Sequence, residues 1–272
     1  MTGLFFENGP YYLNEALELE NRTVGHWNKD YNVIYVDQPI GTGYSFAGKN
    51  ESYTTNEDEV AADLYYFLQH WYKIYPQYTK SSFFITGESY GGHYIPALAA
   101  KIIDENELLT ANPSATNLFI PLEGVAIGDG LTDPCSQVQT GPRAAYDFGL
   151  ISGKVFAKAK FLAEQAAFAC TMGNFSLAHD YRGQMEDAVS IASGVNVYDV
   201  REFGNYDWMH ERMDVFLNDP ATKVMLHVGD HAFGTHPLVG ERLYDDVMRT
   251  QADKFPKLLS KIRVLLYQVY CL

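Results

Sequence analysis

The sequence holds only three cysteines in 272 residues, Cys135, Cys170 and Cys271. Their number is odd and their spacing matches no metal-ligand pattern, so at most one pair forms within the chain, and the sequence does not say which. Positive charge is equally sparse. Twenty Lys and Arg against 34 Asp and Glu give a net charge of −14, which disfavours nucleic acid and anionic membranes as partners. No apolar run is long enough to cross a bilayer. Met1 to Glu7 lacks the basic start, long apolar region and cleavage site of a signal peptide. There is no repeat, low-complexity segment or flexible linker. A hydrophobic content of 47% with 14% aromatics excludes a disordered chain, and the length suits one large α/β domain or two small ones. Sequons at Asn21, Asn50 and Asn174 are candidate glycosylation sites, whereas Asn112 is blocked by Pro113.

Taken in order, Tyr31 to Asp37 is a β-branched run ending at a carboxylate, and it predicts a central strand. The glycine-rich loop Gln38 to Phe46 follows it. That loop lacks the Lys-Ser/Thr ending of a phosphate cradle, so no nucleotide site is expected there. Asn56 to Tyr75 carries Val60, Leu64, Phe67, Leu68 and Trp71 at helical spacing, with Asn56 or Thr55 as its cap. Phe83 to Ile85 reads as a short buried strand, and Leu122 to Gly130 as another. From Gly141 to about Asn196 the pattern turns helical and alanine-rich. Pro220 opens a later helix behind Asn218 or Asp219, and Ile262 to Tyr267 is a last strand. Strands separated by helices point to an α/β class with a mainly parallel sheet.

Chemistry is concentrated in Gly87-Glu88-Ser89-Tyr90-Gly91. This G-x-S-x-G lies between the strand at Phe83 and a helix continuing through Pro96 to Ile103, which is the context of a nucleophile elbow. The sharp turn lifts the Ser89 hydroxyl out of the sheet, and the Tyr90 backbone N–H can face a developing oxyanion. His93, one turn further along the helix, is badly aimed to take the serine proton. Asp37 occupies a strand end as a triad acid would. His227, His231 and His236 have no metal-binding spacing and read as surface residues.

Several motifs in order resemble the lysosomal and vacuolar serine carboxypeptidase family: Phe5 to Pro10, Val36 to Ser45, Gly87 to Tyr94, Gly128-Asp129-Gly130 with Asp133-Pro134, Tyr198 to Arg201, Phe216 to Pro220 and Val264 to Tyr267. The likeness is greatest to the vitellogenic-like and animal lysosomal members, and weakest across 137–196. The resemblance implies an α/β-hydrolase fold, a single domain over 1–272 with a helical cap insertion at about 137–196, truncated at both ends. It implies acyl-enzyme removal of C-terminal residues from peptides at acidic pH. Ser89 is then the nucleophile, and the Tyr90 N–H an oxyanion donor. Glu7 and Glu88 bind the substrate carboxylate by sharing a proton that neither can lose while its neighbour is charged. No cofactor or metal is implied. The partners are peptide or protein C-termini, dimerisation enters by analogy, and the compartment is the secretory pathway, lysosome or vacuole.

Three features of the family are missing from these 272 residues: the glycine giving the second oxyanion N–H, the catalytic aspartate and the catalytic histidine. Asp37 is a structural residue in the family. The sequence as it stands is therefore expected to have little or no peptidase activity. An incomplete record of an active enzyme, a truncated pseudoenzyme that binds peptides or a partner protein, and an acyltransferase on the same scaffold are the readings carried forward.

Overall fold

The computed structural model describes residues 1–49, 52–112, 116–196, 198–204 and 207–268, which divide between two compact units. One joins Met1–Thr54 to Gly204–Glu241, and the other begins at Thr55–Phe203 and resumes at Arg242.

The second unit carries the sheet. Its first helix, α1 (Glu57–Ile74), starts where the Asn56 side chain accepts the Glu59 N–H at 3.0 Å. Glu59 reaches back to the N–H of Thr55, just before the cap, at 2.7 Å, so the chain is bonded in both directions where it enters the helix. Glu57, Asp58 and Glu59 also set negative charge on the positive end of the helix dipole. Tyr65, Leu68 and Tyr72 face inward and pack with Leu98, Ile102 and Ile120. Strand β1 (Phe83–Glu88) leads to α2 (Gly91–Ala111), then to β2 (Leu122–Gly128). After the helical region come the helix Phe255–Lys261 and β3 (Arg263–Tyr267).

The three strands form a parallel sheet in the order β1-β2-β3, with Ile85, Val125 and Val264 side by side. Among the described residues only β2 has a strand on each side, and Val125 and Ile127 are buried there against Ile95, Ala99 and Leu258. β1 is a strand, but not the buried one that its apolar start predicts. Its residues alternate between half-buried and exposed, and Phe84 is 46% exposed. β2 is its one partner strand among the described residues.

The interval 137–196 contains α3 (Gly153–Thr171) and α4 (Phe175–Ser193), preceded by the short helix Gly141–Asp147. Gly173, at φ 70°, makes the turn between the long helices, and Asn174 caps α4 by accepting the Leu177 N–H at 3.1 Å. Ala159, Ala163 and Ala166 let α3 lie close against Met185, Tyr181 and Val189 of α4. Cys135 in the helix Pro134–Gln137 is bonded to Cys170 at the end of α3. Cys271 lies outside the described residues.

The first unit is made of shorter pieces. Tyr11–Leu13 pairs antiparallel with Leu19–Asn21, and the helix Asp207–Asn218 buries Met213 and Leu217 against Phe5 and Leu13. Asp219 caps the helix Pro220–Leu226 through the N–H groups of Ala221 and Thr222 at 2.9 and 3.1 Å, as the Asp-Pro pair predicts. One expectation fails here. Tyr31 to Asp37 forms no strand and pairs with none among the described residues, and Ile34 and Val36 are about 40% exposed. β-branching makes a segment fit a sheet, while a strand exists only through the ladder of its neighbour. Asp37 instead shapes the glycine-rich turn: its carboxylate accepts the Tyr44 N–H at 3.1 Å and its carbonyl accepts the Ser45 hydroxyl at 2.6 Å.

Candidate active site

The elbow forms where β1 ends and α2 begins. Ser89 sits at φ 55°, in the left-handed region that a side chain with a Cβ enters only at a cost. Three backbone hydrogen bonds hold it there. Its N–H donates to Gly128 O at 2.9 Å, while its carbonyl accepts the N–H groups of Gly92 at 3.0 Å and Leu131 at 2.9 Å. The Ser89 side chain is exposed at the carboxyl end of the parallel strands, where ligands of open α/β sheets gather. The Tyr90 N–H has no hydrogen-bond acceptor among the described residues and lies at the positive end of the 21-residue α2. A nucleophile next to an open amide at a helix N-terminus is an arrangement for acyl transfer.

Gly92 permits this geometry. A Cβ there would lie 2.5 Å from Leu131 N and 2.7 Å from both Leu131 C and O. Those atoms are backbone, and the same Leu131 N–H holds the Ser89 carbonyl. Gly92→Ala is therefore expected to cost about 1–3 kcal/mol in overpacking. In a chain of this size that lowers the thermal midpoint by roughly 2–4 °C per kcal/mol. An unchanged melting curve would mean that the Gly92–Leu131 approach is not fixed.

The profile of the serine carboxypeptidase family matches residues 1–269. The chain belongs to the serine carboxypeptidase family. It is 35% identical to a probable serine carboxypeptidase, CPVL, of Dictyostelium discoideum over 97% of this chain and 52% of the relative. It is 33% identical to the vitellogenic carboxypeptidase of Aedes aegypti over 98% of this chain and 57% of the relative. The chain thus spans about half the length of the curated relatives it matches. Among solved structures, the prohormone-processing carboxypeptidase Kex1(Δ)p of Saccharomyces cerevisiae superposes with a TM-score of 0.84 at 21% identity, over 98% of this chain and 62% of that one. The fold is that of the α/β-hydrolases.

In this serine carboxypeptidase chain, Glu88 stands beside Ser89 at the end of β1 with its side chain exposed. Loss of solvent on its protein side, and then the Asp129 carboxylate, raise its pKa above the ordinary range. Asp129 was not singled out as a site residue, although it sits in the Gly128-Asp129-Gly130 motif. It occupies φ 47° and its N–H donates to Tyr267 O at 3.0 Å. Glu7 belongs to the other unit, where it closes the π-turn Gly3–Glu7 with its side chain exposed. Burial and then the Glu7 charge raise the pKa of the Tyr35 phenol.

His93 is no base. It is fully buried, its Nδ1 is 2.5 Å from Leu131 O, and burial lowers its pKa. The other two histidines of the same unit are also engaged: His70 Nδ1 with Tyr66 O at 2.9 Å, and His179 Nδ1 with Tyr244 O at 3.0 Å. Sequence reasoning missed the residues beneath the elbow. Glu57 and Asp246 are each 2% exposed, and the Glu57 N–H donates to Asp246 Oδ2 at 3.1 Å. Among the described residues no helix is long and apolar enough to cross a membrane.

Proposed function

We propose that this chain carries the nucleophile and the carboxylate-recognition residues of an acid serine carboxypeptidase. The conformation of Ser89, strained at φ 55° beside the open Tyr90 N–H, carries the reading. Ser89 Oγ attacks the carbonyl carbon of the last peptide bond, and the Tyr90 N–H receives the negative oxygen. The C–N bond then breaks, the terminal amino acid leaves, and water hydrolyses the acyl-enzyme. Glu88, with its raised pKa, holds the terminal carboxylate through a proton kept at acidic pH. That pH dependence suits a lysosomal, vacuolar or secreted protein, with peptide or protein C-termini as partners.

The chain spans about half the length of its curated relatives, so peptidase activity, and with it the proton acceptor for Ser89, is proposed for the whole protein. A second reading, a pseudoenzyme that binds peptides without cleaving them, draws support from the burial of His93 and the engagement of His70 and His179. The test begins with the native protein from its source, with both ends mapped by mass spectrometry. It is then treated with a fluorophosphonate at about pH 5 and digested. An adduct on Ser89 that disappears in Ser89→Ala, with C-terminal amino acids released from blocked dipeptides, supports the peptidase. Peptide binding with no adduct and no release would leave the pseudoenzyme.

A further inference from the structure

His93 belongs to the elbow motif, and the proposed reaction gives it no part. It is fully buried in the first turn of α2. Burial alone would make it a core residue; its contacts give it a further use. Its Nδ1 lies 2.5 Å from Leu131 O. A carbonyl oxygen only accepts, so Nδ1 carries the proton and donates it. The Leu131 N–H in turn donates to Ser89 O at 2.9 Å. Both backbone groups of Leu131 are therefore bonded to the elbow, one to the peptide of the nucleophile and one to His93.

The imidazole makes a second contact. It stacks on the Tyr90 ring, with centroids 4.5 Å apart and planes 14° from parallel. The Tyr94 ring meets the same tyrosine edge-on at 4.9 Å. The His93 N–H also donates to Tyr90 O at 2.9 Å. His93 thus holds both the side chain and the carbonyl of the residue that presents the open N–H beside Ser89. Leu131 is a firm point to hang from, because the loop is tied on each side of it. Gly130 O accepts the Gln137 Nε2–H at 2.8 Å, the Thr132 N–H donates to Gln137 Oε1 at 3.0 Å, and Thr132 O accepts the Gln251 N–H at 2.8 Å.

A non-glycine residue at φ 55° persists only where its surroundings over-determine it. We infer that His93 is a positioning residue of the elbow. It braces the Ser89 carbonyl through Leu131 and the Tyr90 ring by stacking, and so fixes where Ser89 Oγ and the Tyr90 N–H point. The inference rests on the reading of Ser89 as nucleophile and of the Tyr90 N–H as its oxyanion donor.

Three variants of the native protein separate the two contacts. His93→Phe keeps a flat ring against Tyr90 and removes the Nδ1–H donor. His93→Asn sets an amide N–H near the place of Nδ1 and removes the ring. His93→Ala removes both. The readouts are the thermal midpoint and the rate of fluorophosphonate labelling of Ser89, the second measured well below every midpoint. Misplacing reacting atoms by about 1 Å costs about 100-fold in rate, which is the loss expected for His93→Phe and His93→Ala. His93→Asn keeps the Leu131 bond and gives up only the stack, so it is expected to label within about tenfold of the wild type. A histidine that merely fills the core would lower the midpoint and leave the labelling rate of folded protein unchanged. That result in all three variants overturns the positioning role. His93→Asn as slow as His93→Phe overturns the route through Leu131. Nitrogen NMR of the wild-type histidines needs no variant to fold. A slowly exchanging Nδ1–H on a buried imidazole is expected, and a buried imidazole protonated at Nε2 alone overturns the donor assignment. Absence of labelling in the wild type itself overturns the nucleophile reading and the positioning role with it.

Discussion

Ser89→Gly is expected to remove all fluorophosphonate labelling at this position and to raise stability by up to about 1 kcal/mol. The two effects have one cause. Ser89 holds φ 55°, where a Cβ crowds the backbone at a cost of roughly 1–2 kcal/mol. Glycine escapes that cost but adds back about 0.5–1 kcal/mol of chain entropy in the unfolded state. Little else is lost, because Ser89 Oγ makes no hydrogen bond among the described residues, and the three bonds that fix the turn are to its backbone. Ser89→Ala is the control. It removes the nucleophile and keeps the Cβ, so its stability should stay within about 0.5 kcal/mol of the wild type. Urea midpoints of the three proteins give the order directly. A glycine variant less stable than the alanine variant would mean that the turn stores no strain at Ser89.

How much of this was legible in the sequence depended on the range over which each feature is encoded. α1, α2 and the caps at Asn56 and Asp219 follow from residues within one turn of each other, and the sequence pattern reads them directly. The strands β2 and β3 were also readable, since short apolar runs bounded by glycines or a helix carry their own signal. Tyr31 to Asp37 carries the same signal and forms no strand, because pairing depends on another segment. Phe84 shows the converse: it lies in a strand as expected, but the sheet has no described neighbour on that side to cover it.

The site divides in the same way. Ser89 and Tyr90 are local, belonging to one turn of chain. Glu57 and Asp246 are 189 residues apart and meet through a single backbone hydrogen bond. Read locally, Glu57 is an ordinary acidic residue at a helix start, where the dipole welcomes it. Nothing local says that the position is 2% exposed. The Asp246 side chain is just as silent in sequence. Polar residues buried by long-range packing are the ones that reading along the chain cannot find.

The other long-range tie, Cys135–Cys170, gives the second large effect. Converting both cysteines to serine is expected to lower stability by about 4 kcal/mol. The bond closes a loop over a sequence separation of 35, and releasing a loop of that length returns about that much conformational freedom to the unfolded chain. Native packing works in the same direction. The helix Pro134–Gln137 is four residues long, too short to hold itself together, and the bond fixes it to the 19-residue α3. Cys135 and Cys170 pack on Met248 and Ala178, and Cys135 Sγ lies 3.1 Å from the Met248 carbonyl. Met248 ends the turn that begins at Asp246, so the bond also steadies the partner of Glu57. Guanidinium unfolding of wild type with and without reductant, beside the double serine variant, decides the matter. Reduced wild type should move to the midpoint of the variant, well below the oxidised protein. A variant as stable as oxidised wild type would mean that the loop is already constrained in the unfolded chain, and that the helix Pro134–Gln137 is held by packing alone.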